Sequence, residues 1–194
     1  MTLSREGTLR RSPWGMGGRR GVLFFLTLLV LLSCAGRPAL RESSPQAGLL
    51  IEGVPFYPQE AYQCGPASLA GVLNFWGVGA APEDVAREIF SRSARGTLGM
   101  DMVLFAQDRG LKARSYSGGA EDLRRQIDAG LPVVVMVDYG FWLYQKNHFM
   151  VIVGYGEGGF IANSGRDRHK FLPEDEFLRS WERAGYWTLV LEGG

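Results

Sequence analysis

Residues 59–77 read QEAYQCGPASLAGVLNFWG and place Cys64 directly before an apolar, helix-like run. Leu69, Val72, Leu73 and Trp76 recur at three- and four-residue steps, the period of one helical face. Gly77 stops the run, while Gly65 and Pro66 suit a sharp entry into its first turn. A helix N-terminus points free N–H groups outward and carries about half a positive charge. A cysteine there can lose its proton readily, to a pKa of roughly 3.5–7.5 when a cationic partner helps. The competing reading is a buried structural thiol, which the neighbouring Gln63, Tyr62 and Gly65 disfavour.

A nucleophilic thiol needs a base, and the chain has two histidines. His169 sits in the charged run Arg166-Asp-Arg-His-Lys170 and reads as surface. His148 follows Gln145-Lys146-Asn147 and heads the apolar strand Phe149–Val153, a rigid place to hold an imidazole. The base needs a third group to orient it. A hairpin turning at Gly158-Gly159 brings Asn163 beside His148, with Ser164 the nearby alternative and Asp138 a distant one. Gln59, five residues before Cys64, is a candidate oxyanion donor through its side-chain amide, together with the Cys64 N–H.

Four helices are expected besides the Cys64 helix's own run: 82–90 behind Pro82 with acids in its first turn, 99–108, 121–129 and 173–183. Strands are expected over 111–116, 132–137, 148–153, 160–162, 169–172 and 185–191. The continuous run Val133-Val-Val-Met-Val137 reads as a strand buried on both faces. Helices lead and an antiparallel sheet follows, so the fold class is α+β, an N-terminal helical half packed on a C-terminal sheet.

The chain has 194 residues, 46% hydrophobic and 21% charged, which suits one globular domain with a real core. Five arginines against Glu6 give residues 1–33 a charge of +4, leaving −3 for the remainder of a chain whose formal net charge is +1. No basic patch in the body points to nucleic acid. Arg19-Arg20 followed by the apolar run Val22–Leu32 is too short to span a bilayer and has the length of a secretory signal. It ends in Leu31-Leu32-Ser33-Cys34-Ala35-Gly36, which resembles a bacterial lipoprotein box with Cys34 as the acylated residue. A plain signal peptide with an incidental cysteine, or a short anchor, are the alternatives, and translation starts at Met1 or Met16. The expected division is 1–33 signal, 34–48 tether and 49–194 catalytic domain. The expected address is the bacterial envelope, lipid-anchored, on the outer membrane facing the periplasm. With Cys34 lipidated, Cys64 is the only thiol left.

Val54-Pro-Phe-Tyr-Pro-Gln59, Cys64-Gly-Pro-Ala-Ser-Leu-Ala70 and His148-Phe-Met-Val-Ile-Val-Gly-Tyr155, in that order, resemble the papain-like peptidases of the bacteriocin-processing, double-glycine-leader group, in a stand-alone lipoprotein form. The likeness covers about 52–165. It implies Cys64 as nucleophile, His148 as base and Gln59 in the oxyanion hole. Members carry Asp-Pro where this chain has Ser164-Gly165, so Asn163 and Ser164 both stay open as the orienter. Full-length bacteriocin exporters also carry membrane and nucleotide-binding domains; neither is read in these residues, so ATP binding and export are not expected to carry over.

The expected activity is hydrolysis of peptide bonds in a peptide or protein substrate through a Cys64–His148 acyl-enzyme. The alternatives are a weakened peptide-binding module and an acyl transferase on the same fold. Gly110, Gly118-Gly119, Gly140, Tyr139, Phe141, Trp142 and Tyr144 are candidate cleft residues. No cofactor or metal is expected, because two histidines and one remaining cysteine give no recognised ligand spacing. No phosphate-binding glycine loop is present.

Overall fold

The computed structural model describes residues 48–58, 63–91, 93, 96–141 and 144–194. Cys34, Gln59 and Trp142, and the expected signal and most of the tether, lie outside the described residues. The elements are β1 (Leu49–Leu50), α1 (Cys64–Phe75), α2 (Pro82–Ile89), β2 (Phe90–Ser91), β3 (Gly96–Thr97), α3 (Gly99–Asp108), β4 (Lys112–Ser117), α4 (Ala120–Asp128), β5 (Val133–Asp138), β6 (Asn147–Gly156), β7 (Gly159–Ser164), β8 (Asp167–Pro173), α5 (Glu174–Arg183) and β9 (Trp187–Glu192).

Local chemistry explains the helix ends. Four helices close on a glycine in the left-handed region: Gly77, Gly110, Gly130 and Gly185. In each, the residue after the glycine donates its N–H back into the last turn, as Val78 does to the Leu73 carbonyl at 3.0 Å. Acidic first turns complement the dipole of α2, α4 and α5. The Cys64 helix, α1, carries no such charge and no side-chain cap. Tertiary packing holds it instead, since Gly65 through Leu73 are all buried.

The sheet runs β4-β9-β5-β6-β7-β8, with β1 added against the far end of β6, and every pairing is antiparallel. Val133, Val134, Val135 and Val137 are fully buried, as expected of a strand covered on both faces. Alternation divides them. Val134 joins Leu69, Leu73, Val103 and Phe149 in one core, while Val133, Val135 and Val137 join Leu123, Ile127 and Trp181 in a second. Helices α1, α2 and α3 cover the first face, and α4 and α5 the second. The α+β class, an N-terminal helical part packed on an antiparallel sheet, is as expected. Strand β4 precedes α4, and the last strand, β9, inserts between β4 and β5. The two-residue strands β1, β2 and β3 were not expected.

Leu69 anchors α1 in the first core with no solvent exposure. Leu69→Ala should cost about 2–5 kcal/mol of stability. Urea unfolding checks this as a lower midpoint at an unchanged m-value.

Candidate active site

Cys64 is the first residue of α1 and is partly buried at the edge of the first core. The backbone N–H groups of Phe149 on β6, and of Gly65 and Cys64 at the helix start, bear on its thiol. Phe149 follows His148 in the chain, and helix α1 packs against the strand that carries both. All three N–H groups favour the thiolate, yet burial outweighs them and pushes the Cys64 pKa up. This reverses the expectation of a lowered value. A helix terminus alone does not offset desolvation, and the cationic partner that expectation needed is missing from the resting site.

The reason is His148. Burial, then the charges of Lys170 and Lys146, lower its pKa to about 4. At neutral pH the resting pair is therefore a thiol and a neutral imidazole. His148 lies at the start of β6 opposite Val137. Its Nε2 is 3.0 Å from Ser164 Oγ. With Nε2–H donating to that hydroxyl, Nδ1 keeps its lone pair and can accept a proton.

Ser164, not Asn163, is thus the group at the imidazole. Successive residues on β7 face opposite sides of the sheet, so only one of the pair can turn toward His148. Asn163 is 3% exposed and its Oδ1 accepts the His169 N–H at 3.1 Å. Its Nδ2 has no hydrogen-bond partner among the described residues. His169 is not a plain surface residue. It is partly buried, with φ of 54°, at the extra residue where β8 bulges against β7. Asn163 fills the gap that the bulge leaves in the ladder.

Asp138 has a different role from orienting. It is buried at the end of β5, and its Oδ1 accepts the N–H groups of Gly140 (2.7 Å) and Lys146 (2.8 Å). Its carbonyl accepts from Arg183 Nε and Nη2. It clasps both ends of the loop that leads into His148. On that loop the Tyr139 ring lies over the imidazole, with centroids 5.7 Å apart and planes tilted by 30°. Phe141 and Tyr144 pair with each other farther out, 84% and 72% exposed. Of the other cleft candidates, Gly110 serves a helix end, and Gly119 starts α4. Gly118 packs against Thr188 and Trp181.

Two contributors escaped the sequence reading. The Phe149 N–H is a backbone group with no side-chain signature. Thr97, on the β2–β3 hairpin, lies so close over Gly65 that a Cβ there would come within 2.7 Å of Thr97 Cβ. That close approach explains a glycine immediately after Cys64. A hollow of about 580 Å³ borders Gln63, the residue before Cys64, with Tyr57, Asn74 and Glu83 in its lining.

Comparison with known proteins gives the family. Residues 51–188 match the model of the Peptidase_C39 like family. An uncharacterized protein of Methanothermobacter thermautotrophicus is 32% identical over 97 residues, half of this chain and 61% of that protein's length. Three solved structures share the fold. A Bacillus anthracis protein assigned as a C39-like peptidase superposes with a TM-score of 0.64 at 17% identity, over 76% of this chain and 98% of that one. The peptidase domain of Streptococcus ComA, a bifunctional ABC transporter of a quorum-sensing pathway, gives 0.60 at 20% identity, over 73% and 100%. A double glycine motif protease from an AMS/PCAT transporter, in complex with its leader peptide, gives 0.57 at 23%, over 77% and 100%. The α+β fold and the extent of the match agree: this chain belongs to the Peptidase_C39 like family.

Proposed function

We propose that the chain is a cysteine peptidase of the cell envelope, with Cys64 as nucleophile, His148 as general base and acid, and Ser164 as the group that orients His148. One juxtaposition carries this reading. The helix that begins at Cys64 packs on β6, the strand that begins beside His148, and the His148 Nε2 is 3.0 Å from Ser164 Oγ. The substrate is a peptide, in keeping with the leader peptide bound by the transporter protease of like fold.

In this mechanism Cys64 Sγ attacks the peptide carbonyl carbon while its proton passes to His148 Nδ1. The carbonyl oxygen becomes an oxyanion, met by the Cys64 N–H and the Gln59 amide. His148 then gives the proton to the departing amine, leaving a thioester on Cys64. Water attacks that ester, His148 takes its proton, and the product acid leaves with the thiol restored. The resting pair is neutral, so the proton moves only as substrate arrives. That also suits a module that holds a peptide without cutting it, and turnover separates the two. Cleavage of a peptide library should vanish in Cys64→Ala and fall by about 10²–10⁴-fold in His148→Ala. Turnover that survives Cys64→Ala would remove the thiol from the chemistry.

The pH profile follows from the same charges. His148 works only when neutral, and its pKa is near 4. The acid limb of kcat/KM should therefore fall near pH 4 rather than at the ordinary value of about 6.5. A carboxylate set against the ring should raise that pKa by about 1–3 units. In Ser164→Asp the limb should move up accordingly, as should the His148 midpoint read by NMR. An unmoved midpoint would take Ser164 away from the imidazole.

We also infer that the domain is tethered by a lipid on Cys34. The support is the sequence alone: Arg19-Arg20, the apolar run to Leu32, and Leu31-Leu32-Ser33-Cys34. Labelled palmitate fed to bacteria expressing the full chain should enter the wild type and not Cys34→Ala. Equal labelling of both would exclude the anchor.

A further inference from the structure

Asp138 is the one buried charged residue among the described residues, 5% exposed at the end of β5. A carboxylate that far from water is stable only where hydrogen bonds hold it. Its Oδ1 accepts the N–H groups of Gly140 and Lys146, at 2.7 and 2.8 Å, from opposite ends of the connection to β6. Bonds to an ionised acceptor are the strong ones. The peptide carbonyl of Asp138 accepts Arg183 Nη2 at 2.6 Å and Nε at 3.1 Å, from the last turn of α5. The clasp leaves no room for a side chain at residue 140. A Cβ there would lie 1.8 Å from the Tyr144 carbonyl oxygen and 2.7 Å from Asp138 Oδ1, so this close approach requires Gly140.

Two groups at the imidazole depend on this backbone. Tyr139 lies between Asp138 and Gly140, and its N–H donates to the Lys146 carbonyl at 3.0 Å. Phe141 and Tyr144 exchange both backbone bonds beyond it, at 2.9 and 3.0 Å. The pairing of β5 with β6 thus continues past Asp138 and Asn147 as a two-stranded ribbon. Such a ribbon is marginal by itself. Phe141 and Tyr144 bury little to hold it, being 84% and 72% exposed. The Asp138 clasp supplies what packing does not.

The Tyr139 ring centroid stands 5.7 Å from that of His148, and Ser164 Oγ is 3.0 Å from the ring's Nε2. One contact bounds a face of the imidazole and the other holds a nitrogen. Together they limit the two side-chain torsions of His148. Asp138 Oδ1 bonds main chain, so it serves the imidazole through the backbone that carries Tyr139 and His148. Resting on the peptidase reading for what His148 does, we propose that Asp138 is a positioning residue for His148. Its clasp on Gly140 and Lys146, anchored to α5 through Arg183, seats the Tyr139 ring against the imidazole and fixes the angle at which the base meets its proton.

Proton NMR of the full-length chain reads this placement without any substrate, the His148 ring signals being assigned by their loss in His148→Gln. Tyr139→Leu removes the aromatic ring current and should move the His148 ring protons toward their free-histidine positions, whereas Tyr139→Phe should not. Asp138→Ala should move them the same way although the tyrosine is still present. Asp138→Asn, whose Oδ1 can still accept both N–H groups, should keep them near wild type. For a peptide that the wild type cleaves, Asp138→Ala should lower kcat by about ten- to a hundredfold with KM little changed, and Asp138→Asn should recover most of that loss. Should Asp138→Ala fail to fold, Arg183→Met removes the exposed anchor alone and should give the same shifts at smaller size. His148 signals unmoved in the folded variant would overturn the proposal. So would a lower urea midpoint with the signals and kcat unchanged, which is the result of a clasp that only stabilises. Signals that move as expected, in a chain whose wild type cleaves no peptide, would uphold the clasp and sink the peptidase reading.

Discussion

The helix that begins at Cys64 is packed against strand β6, and the candidate site is arranged around that packing. Cys64 and Phe149 come from distant parts of the chain, and ordering them together costs conformational entropy that local contacts cannot return. The recovery comes from α1, whose residues from Gly65 to Leu73 are buried on all sides. A helix with no polar cap and no complementary first-turn charge is held in place by packing alone. That packing presses its first turn onto the start of the central strand β6. Thr97 closes the arrangement over Gly65, where a larger residue would force the hairpin or the helix to shift.

Burial then decides the electrostatics. Burial raises the thiol pKa, and it outweighs the three backbone N–H groups and the helix start, all of which favour the ionised form. The same burial, with two lysine charges added, keeps His148 neutral down to about pH 4. Each group thus rests in its uncharged form, and neither supplies the charge that would ionise the other. A carboxylate behind the ring would break this deadlock by stabilising the imidazolium. The hydroxyl of Ser164 can fix the tautomer and the ring plane, but brings no net charge.

Much of this was legible from residue types. Glycines after apolar runs marked the helix ends, and the β-branched run at 133–137 marked a strand covered on both faces. The Cys-Gly-Pro-Ala and His-strand motifs marked the start of α1 and the start of β6, and those two elements pack against each other. The failures have physical causes. Strands of two residues, such as β1 and the β2–β3 pair, are too short to show a period. Choosing between Asn163 and Ser164 turned on a single step of strand alternation, and the bulge at His169 that occupies Asn163 has no sequence signal beyond a charged run. The sign of the Cys64 shift was misread because helix position is visible in a sequence and depth of burial is not.

A hydroxyl rather than a carboxylate at residue 164 changes how the site rests. A resident anion stabilises the imidazolium whatever is bound, and so makes the thiol reactive toward any electrophile that reaches it. A neutral orienter leaves the thiol protonated between encounters, which protects the cysteine from adventitious alkylation and oxidation, because the thiolate is the reactive form. Activation then depends on what arrives. If the bound peptide contributes the negative charge, part of its binding energy appears only as the proton moves, and that energy lowers the barrier instead of merely tightening the ground-state complex.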